Sequence, residues 1–258
     1  MSKNKSPYCK NCNNPINGNY CSNCGQSSET GKIDFHYLIH EVQHSILHVD
    51  KGILYTIKEL VLRPGSTIRS YLSGKRVNYF KPFAFVFILG TLYGFIAHFF
   101  KYYPENEIMP SLGYTESSLK YTQKTMELIY SNYSLAILIL VPFSAFSTFI
   151  FFRKSIYNYW EHLIANSYIA GMQILILLIF YLLNVCFDRS WIFLIGSFIT
   201  YLYSIWVLVE LFNDGSKIKT AIKATFSIIC SFLILTFITF IAAIIAIIFL
   251  NILGPWKA

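Results

Sequence analysis

Five long apolar runs constrain this chain more than any other feature. They cover residues 82–100, 133–152, 167–187, 191–212 and 226–250, and each approaches or exceeds the roughly 20 residues that a helix needs to cross a bilayer. None contains Lys or Arg, and Glu210, near one end of the fourth, is the only carboxylate inside them. Backbone amides in lipid must be satisfied within the segment or by a closed barrel. Barrel strands alternate apolar and polar residues, which Ile244-Ile245-Ala246-Ile247-Ile248-Phe249-Leu250 does not. The runs therefore predict an all-α integral membrane protein with five transmembrane helices. Only 13% of the residues are charged, against about 25% in a soluble domain, and 55% are hydrophobic, which excludes a disordered chain.

The distribution of Lys and Arg orients the runs. With the N-terminus inside, sixteen of the 21 basic residues fall on the inner side and five on the outer side. Trp191 and Trp256 then both sit at the outer interface. The expectation is a cytoplasmic N-terminus and an external C-terminus. The first run starts 81 residues into the chain, too far in to be a cleaved signal peptide.

Ahead of the runs lie Cys9-Lys-Asn-Cys12 and Cys21-Ser-Asn-Cys24-Gly25, two CxxC pairs eight residues apart. Each such turn delivers two thiolates to one metal, and four thiolates complete a tetrahedral Zn2+ site. Lys10 and the turn amides are expected to offset the thiolate charge. Redox dithiols or disulfides fit less well, since a cytoplasmic site disfavours stable disulfides. The expected ion is one structural zinc, because so short a segment cannot bury a core alone. No basic helix follows, so no nucleic-acid partner is expected. Cys186 and Cys230 lie inside apolar runs and read as packing residues.

A second chemical pattern runs through FHYLIHEVQHSILH. His36, His40, His44 and His48 recur every four residues and would form one stripe on a helix. Within it His40-Glu41-Val42-Gln43-His44 satisfies HExxH, the zinc-protease string in which Glu is the general base. Leu47 stands where the metzincin pattern needs Gly, and fewer than 60 residues between Cys24 and Pro82 leave no sheet to hold a substrate. A packing or solvated histidine face is favoured over a second metal site and over protease chemistry.

Ile53, Leu54, Ile57, Leu60 and Val61 then form one apolar face of a short helix, ended by Arg63-Pro64-Gly65. Ser66 is expected to cap a second short helix toward Tyr71. Arg63, Arg69, Lys75, Arg76 and Lys81 interleave with these faces and suit a segment lying along an anionic leaflet. The domain reading is a zinc-ribbon head at 1–30, an amphipathic basic linker at 31–81 and a five-helix membrane domain at 82–258.

Cys24-Gly25-Gln26, Asp50-x-Gly52, Thr56, Arg63-Pro64-Gly65, Tyr71, Gly74-Lys75-Arg76 and Pro82 resemble a bacterial zinc-ribbon-headed membrane family of unknown function. That resemblance covers about the first 90 residues and implies an inner-membrane protein without supplying an activity. The five-span half is loosely similar in layout to the Yip family, around Tyr159-Trp160-Glu161-His162 and residues 217–223. In eukaryotes that family is associated with membrane trafficking through small GTPases, a role not carried over to this chain.

Ionisable groups inside the runs, the default marks of ion paths, are few: His98 and Glu210. Asn184, Gln173 and several Ser and Thr can bond between helices, and Pro142 and Gly171 suit kinks or close packing. The favoured function is a non-enzymatic membrane scaffold or adaptor with a cytoplasmic docking surface, its partners being membrane lipids with anionic headgroups and a cytoplasmic protein or a second copy of the chain in a homo-oligomer. A transporter, channel or lipid-handling protein is the alternative, followed by a membrane-bound metalloprotease.

Overall fold

Pro64 and Pro82 each open a helix at its first position, where the missing amide hydrogen costs no intrahelical bond. The computed structural model describes residues 7–35, 37–39, 52–101, 116–187, 189–212 and 215–253. Among them the long elements are all helices: α1 (Gly52–Leu62), α2 (Pro64–Leu72), α3 (Pro82–Phe100), α4 (Glu116–Ser131), α5 (Tyr133–Phe151), α6 (Tyr159–Phe187), α7 (Ser190–Phe212) and α8 (Lys217–Leu253). Five of these, α3 and α5 to α8, are long and apolar enough to cross a membrane.

Two helices outrun the apolar segments that announced them. α6 has 29 residues and starts eight positions before 167, while α8 has 37 and starts nine before 226. At 1.5 Å per residue, α8 is about 55 Å long, well beyond a hydrocarbon core of about 30 Å. Hydropathy marks where side chains tolerate lipid; the backbone ladder continues as far as residues of good helix propensity allow. Glu161, Leu163 and Ala165 in α6, and Lys217, Lys219, Ala221 and Lys223 in α8, allow it.

α5, α6, α7 and α8 form a ring in which each helix packs on two neighbours. α3 lies against the outside of α5 and α6, and α4 rests on α3 and α5. The closest approach is at Gly171, where an added Cβ would fall 2.3 Å from the Phe85 ring. Aromatics fill the seam between α3 and α6: Tyr168 meets Tyr71 edge-on at 5.4 Å and Phe85 at 6.1 Å. The Tyr168 hydroxyl donates to the Phe80 carbonyl at 2.7 Å, so the ring closes the turn ahead of α3 as well as packing it.

α2 docks on the end of α7 and also touches α6, with α1 folded back against it. The buried face of α1 holds part of the expected apolar one, Leu60 with Ile53 and Ile57 packed against the core, and adds two polar residues. Thr56, Glu59 and Leu60 point inward, whereas Leu54 and Val61 are exposed. Hydrogen bonding decides this: the Thr56 hydroxyl accepts the Phe80 amide at 2.7 Å and Glu59 pairs with Arg63. Ser66 is not a cap either. It lies in the first turn of α2 and donates to the Arg63 carbonyl, and the helix end is capped from elsewhere.

Candidate metal centre and its docking joint

The cysteine head is one small unit made twice. Cys9 N–H bonds the Asn14 carbonyl at 2.8 Å and Asn13 N–H the Cys9 carbonyl at 2.8 Å. Twelve residues later, Cys21 N–H bonds the Gln26 carbonyl at 2.8 Å and Gly25 N–H the Cys21 carbonyl at 2.9 Å. Each turn is completed by a left-handed residue, Asn13 at φ 60° and Gly25 at φ 74°. The bridges Tyr8–Pro15 and Tyr20–Ser27 close both loops. A ribbon implies paired strands; the described residues hold only these two isolated bridges, so the head is a pair of knuckles.

Facing each other, the knuckles bring the four Sγ atoms within 4.8 Å of one another. Cys9 and Cys24 are 3.5 Å apart, as are Cys12 and Cys21. Thiolates at about 2.3 Å from a tetrahedral metal stand roughly 3.8 Å apart, so the donors fit a closed four-sulfur site. The Asn14 amide draws the Cys12 thiol down to about 6, whereas burial pushes that of Cys24 up to about 11. The Lys10 side chain is held beside the Gly74 turn. Its ammonium goes to the Thr30 carbonyl.

Gln26, the residue after the second knuckle, ties the head to the rest of the molecule. Its Nε2 donates to the Gly74 carbonyl at 3.1 Å, and its Oε1 accepts the amides of Arg76 at 3.0 Å and Val77 at 2.9 Å. A planar amide thus reads both polarities of one turn. That turn needs its glycine: Gly74 has φ +103°, and a Cβ there would lie 2.9 Å from the Lys10 side chain. Arg76 reinforces the joint by donating to the Gly31 carbonyl at 2.9 Å and stacking over Tyr37 at 4.4 Å. Asn158, at the entrance to α6, donates to the Ile33 carbonyl at 3.0 Å. Ile33 is fully buried in the common core.

A second joint lies at Arg63-Pro64-Gly65. Arg63 holds Glu59 through two nitrogens at 2.6 and 3.0 Å, which keeps the Glu59 carboxyl below its usual range. Gly65 N–H donates to Glu210 Oε2 at 3.1 Å, and a Cβ on Gly65 would fall 2.4 Å from the Glu210 Cβ. In return, Arg69 donates to the carbonyls of Glu210 and Leu211. An acid caps the N-terminus of α2 and a cation caps the C-terminus of α7, each favourable to the helix dipole it meets.

Of the five cations read as lipid or partner contacts, Arg69 and Arg76 make these internal bonds. Arg63 is exposed but paired, Lys75 is exposed and Lys81 half-buried. The histidine stripe, His36, His40, His44 and His48, lies outside the described residues, as does Glu41. Sequence reasoning missed Gln26 and Glu210 as joint-forming residues. The signals were a buriable amide directly behind a metal knuckle and a lone carboxylate at the end of an apolar run.

Residues 50–94 match a family described as "Protein of unknown function (DUF3667)". The match spans α1, the elbow, α2, the Gly74 turn and the first half of α3, so it coincides with the two joints. No curated protein and no solved structure matches the chain. The chain is thus a multi-span, membrane-type helical protein carrying a four-cysteine cluster able to hold a metal ion.

Proposed function

We propose that this protein is a non-enzymatic scaffold or adaptor of a bacterial inner membrane, with its N-terminal side in the cytoplasm and one structural zinc held by Cys9, Cys12, Cys21 and Cys24. The observation that carries this reading is the three-bond clasp of Gln26 on residues 74–77. A metal head fastened to the turn before the first span presents a fixed surface, unlike a finger on a free tether. A four-thiolate site leaves no open coordination position for chemistry, which supports a structural ion. The cation bias of the inner loops supports the orientation. Lys75, exposed on the clasped turn, and Lys81 beside it supply the charge for an acidic protein or an anionic headgroup.

Full-length protein in neutral-lipid nanodiscs is the test, used as bait for cytoplasmic proteins and for anionic vesicles. Wild type should retain at least one of these, and Cys12→Ser/Cys24→Ser or Lys75→Glu/Lys81→Glu should lose it. Equal recovery by wild type and both variants would overturn the proposal.

A further inference from the structure

The ring of α5 to α8 is not packed solid. At its centre is a cavity of about 210 Å³, partly open, to which all four helices contribute. A cavity of roughly 150 Å³ suffices for a benzene-sized molecule, so this one admits a fragment somewhat larger. Its walls are divided. Ser144 and Thr148 of α5, Asn166 and Gln173 of α6, Ser204 of α7 and Ser227 of α8 form a polar half. Ile137 and Leu140, nearer the start of α5, and Phe232 and Leu235, farther along α8, form an apolar half, and Val141, Ile169 and Leu208 stand among the polar groups.

The polar half cannot be dismissed as helix-to-helix glue, although part of it is that. Ser144 and Ser231 bond each other at 3.0 Å and Ser147 bonds the Ser227 carbonyl. Asn166 uses its amide nitrogen on Thr148 Oγ1 and on the His162 carbonyl, both at 2.8 Å, and Gln173 uses its own on Ser204 Oγ at 2.8 Å. That leaves the Asn166 Oδ1 and Gln173 Oε1 acceptors, two turns apart on one helix face, at the cavity wall. Among the described residues no charged side chain lines the space. A charged guest would therefore be desolvated without compensation, while a hydroxyl donor would find an acceptor. Beyond Thr148 and Asn166 the inner end is closed by rings: Phe212 stacks on Phe152 at 4.1 Å and on His162 at 5.1 Å.

We propose that this cavity is a binding site for an uncharged, hydroxyl-headed membrane lipid, of the diacylglycerol or long-chain alcohol type. Its hydroxyl donates to the Asn166 Oδ1, its first carbons lie between Ile137, Leu140, Phe232 and Leu235, and its tail leaves through the open side. This site is independent of the metal head and of the scaffold reading.

The test is photolabelling of full-length protein in phosphatidylcholine nanodiscs with diazirine-bearing diacylglycerol, a diazirine long-chain alcohol and, as charged control, a diazirine fatty acid at pH 8. Peptides covering 137–148 and 227–235 should be labelled by one or both neutral probes and at least tenfold less by the fatty acid. Unlabelled diacylglycerol or alcohol should compete that labelling away, while labelling at the outward-facing Phe237 and Phe240 persists. Filling the space with Ala170→Phe should abolish the cavity labelling. Asn166→Leu, similar in volume, should abolish the advantage of the free hydroxyl over its methyl ether. Ser231→Leu is a second filling variant if Ala170→Phe misfolds, and the competition needs no variant at all. Labelling that is uncompeted and equal inside and outside would mean annular lipid only and overturn the site. Equal labelling by the fatty acid would overturn its chemical class.

Discussion

The Glu210 carboxylate accepts the Gly65 amide at 3.1 Å across 145 residues of sequence. The only carboxylate within the apolar runs is thereby the cap of a helix in another part of the chain. An ionisable group in a span is by default a functional-site candidate, and here the neighbouring bonds give it a structural role. Glu210 and Arg69 together exchange helix-end charges between α2 and α7, which fixes the juxtamembrane segment on the bundle.

Gly65 has no room for a side chain. Gly65→Ala must push α2 off α7, an overpacking that costs about 1–3 kcal/mol, and it also weakens the Glu210 cap. Glu210→Gln keeps an acceptor and lowers stability less. Thermal unfolding in one detergent should therefore rank wild type above Glu210→Gln and Glu210→Gln above Gly65→Ala. A Gly65→Ala protein as stable as wild type would contradict the packing seen here.

Gln26 separates docking of the head from its folding. In Gln26→Ala the knuckle bonds and all four cysteines remain, but the Gly74 carbonyl and the Arg76 and Val77 amides lose their partner. Each unpaired buried group costs about 1–3 kcal/mol, less where water reaches it. Metal content should be unchanged while limited proteolysis accelerates between residues 27 and 35. Loss of metal in Gln26→Ala would show that the two are one folding unit.

Metal analysis of the purified full chain should return one zinc per molecule, lost in Cys12→Ser/Cys24→Ser and retained in His40→Ala/His44→Ala. A second equivalent removed by the histidine changes would instead place a metal on the stripe. Chelation should expose the cysteines to maleimide and, through Gln26, loosen the turn at 74–77 to hydrogen exchange.

The Glu59–Arg63 pair makes the elbow acid-sensitive in one direction. Arg63 holds the Glu59 carboxyl below its ordinary value of 4.5. A carboxylate depressed on folding lends stability that is complete above the unfolded value and disappears as pH falls through the folded one. The difference in melting temperature between wild type and Glu59→Gln should be constant from pH 8 to 6 and shrink below pH 4.5. A difference that grew toward acid pH would reverse the sign argued here.

The spans and the clustering of the four cysteines were legible in the sequence because each follows from a local rule. An apolar run of bilayer length must be a helix, and CxxC delivers two thiolates wherever it is placed. The reach of α6 to Tyr159 and of α8 to Lys217 was not legible, since hydropathy reports the solvent that a side chain prefers and not where the backbone ladder ends. The inward face of α1 was only partly legible for a related reason: Ile53, Ile57 and Leu60 pack inward as their spacing predicts, but two polar residues join them. Periodicity counts apolar residues, whereas Thr56 and Glu59 are buried because one accepts the Phe80 amide and the other holds Arg63.

Sequence alone determined the partition of this chain between lipid and water, through free energies that add residue by residue along a run. Tertiary structure decided which polar groups meet: Gln26 with the Gly74 turn, Gly65 with Glu210, and Gln173 with Ser204 beside the cavity. Those pairings span tens to more than a hundred residues. Their energies exist only at hydrogen-bond distance, so no local pattern in the chain encodes them.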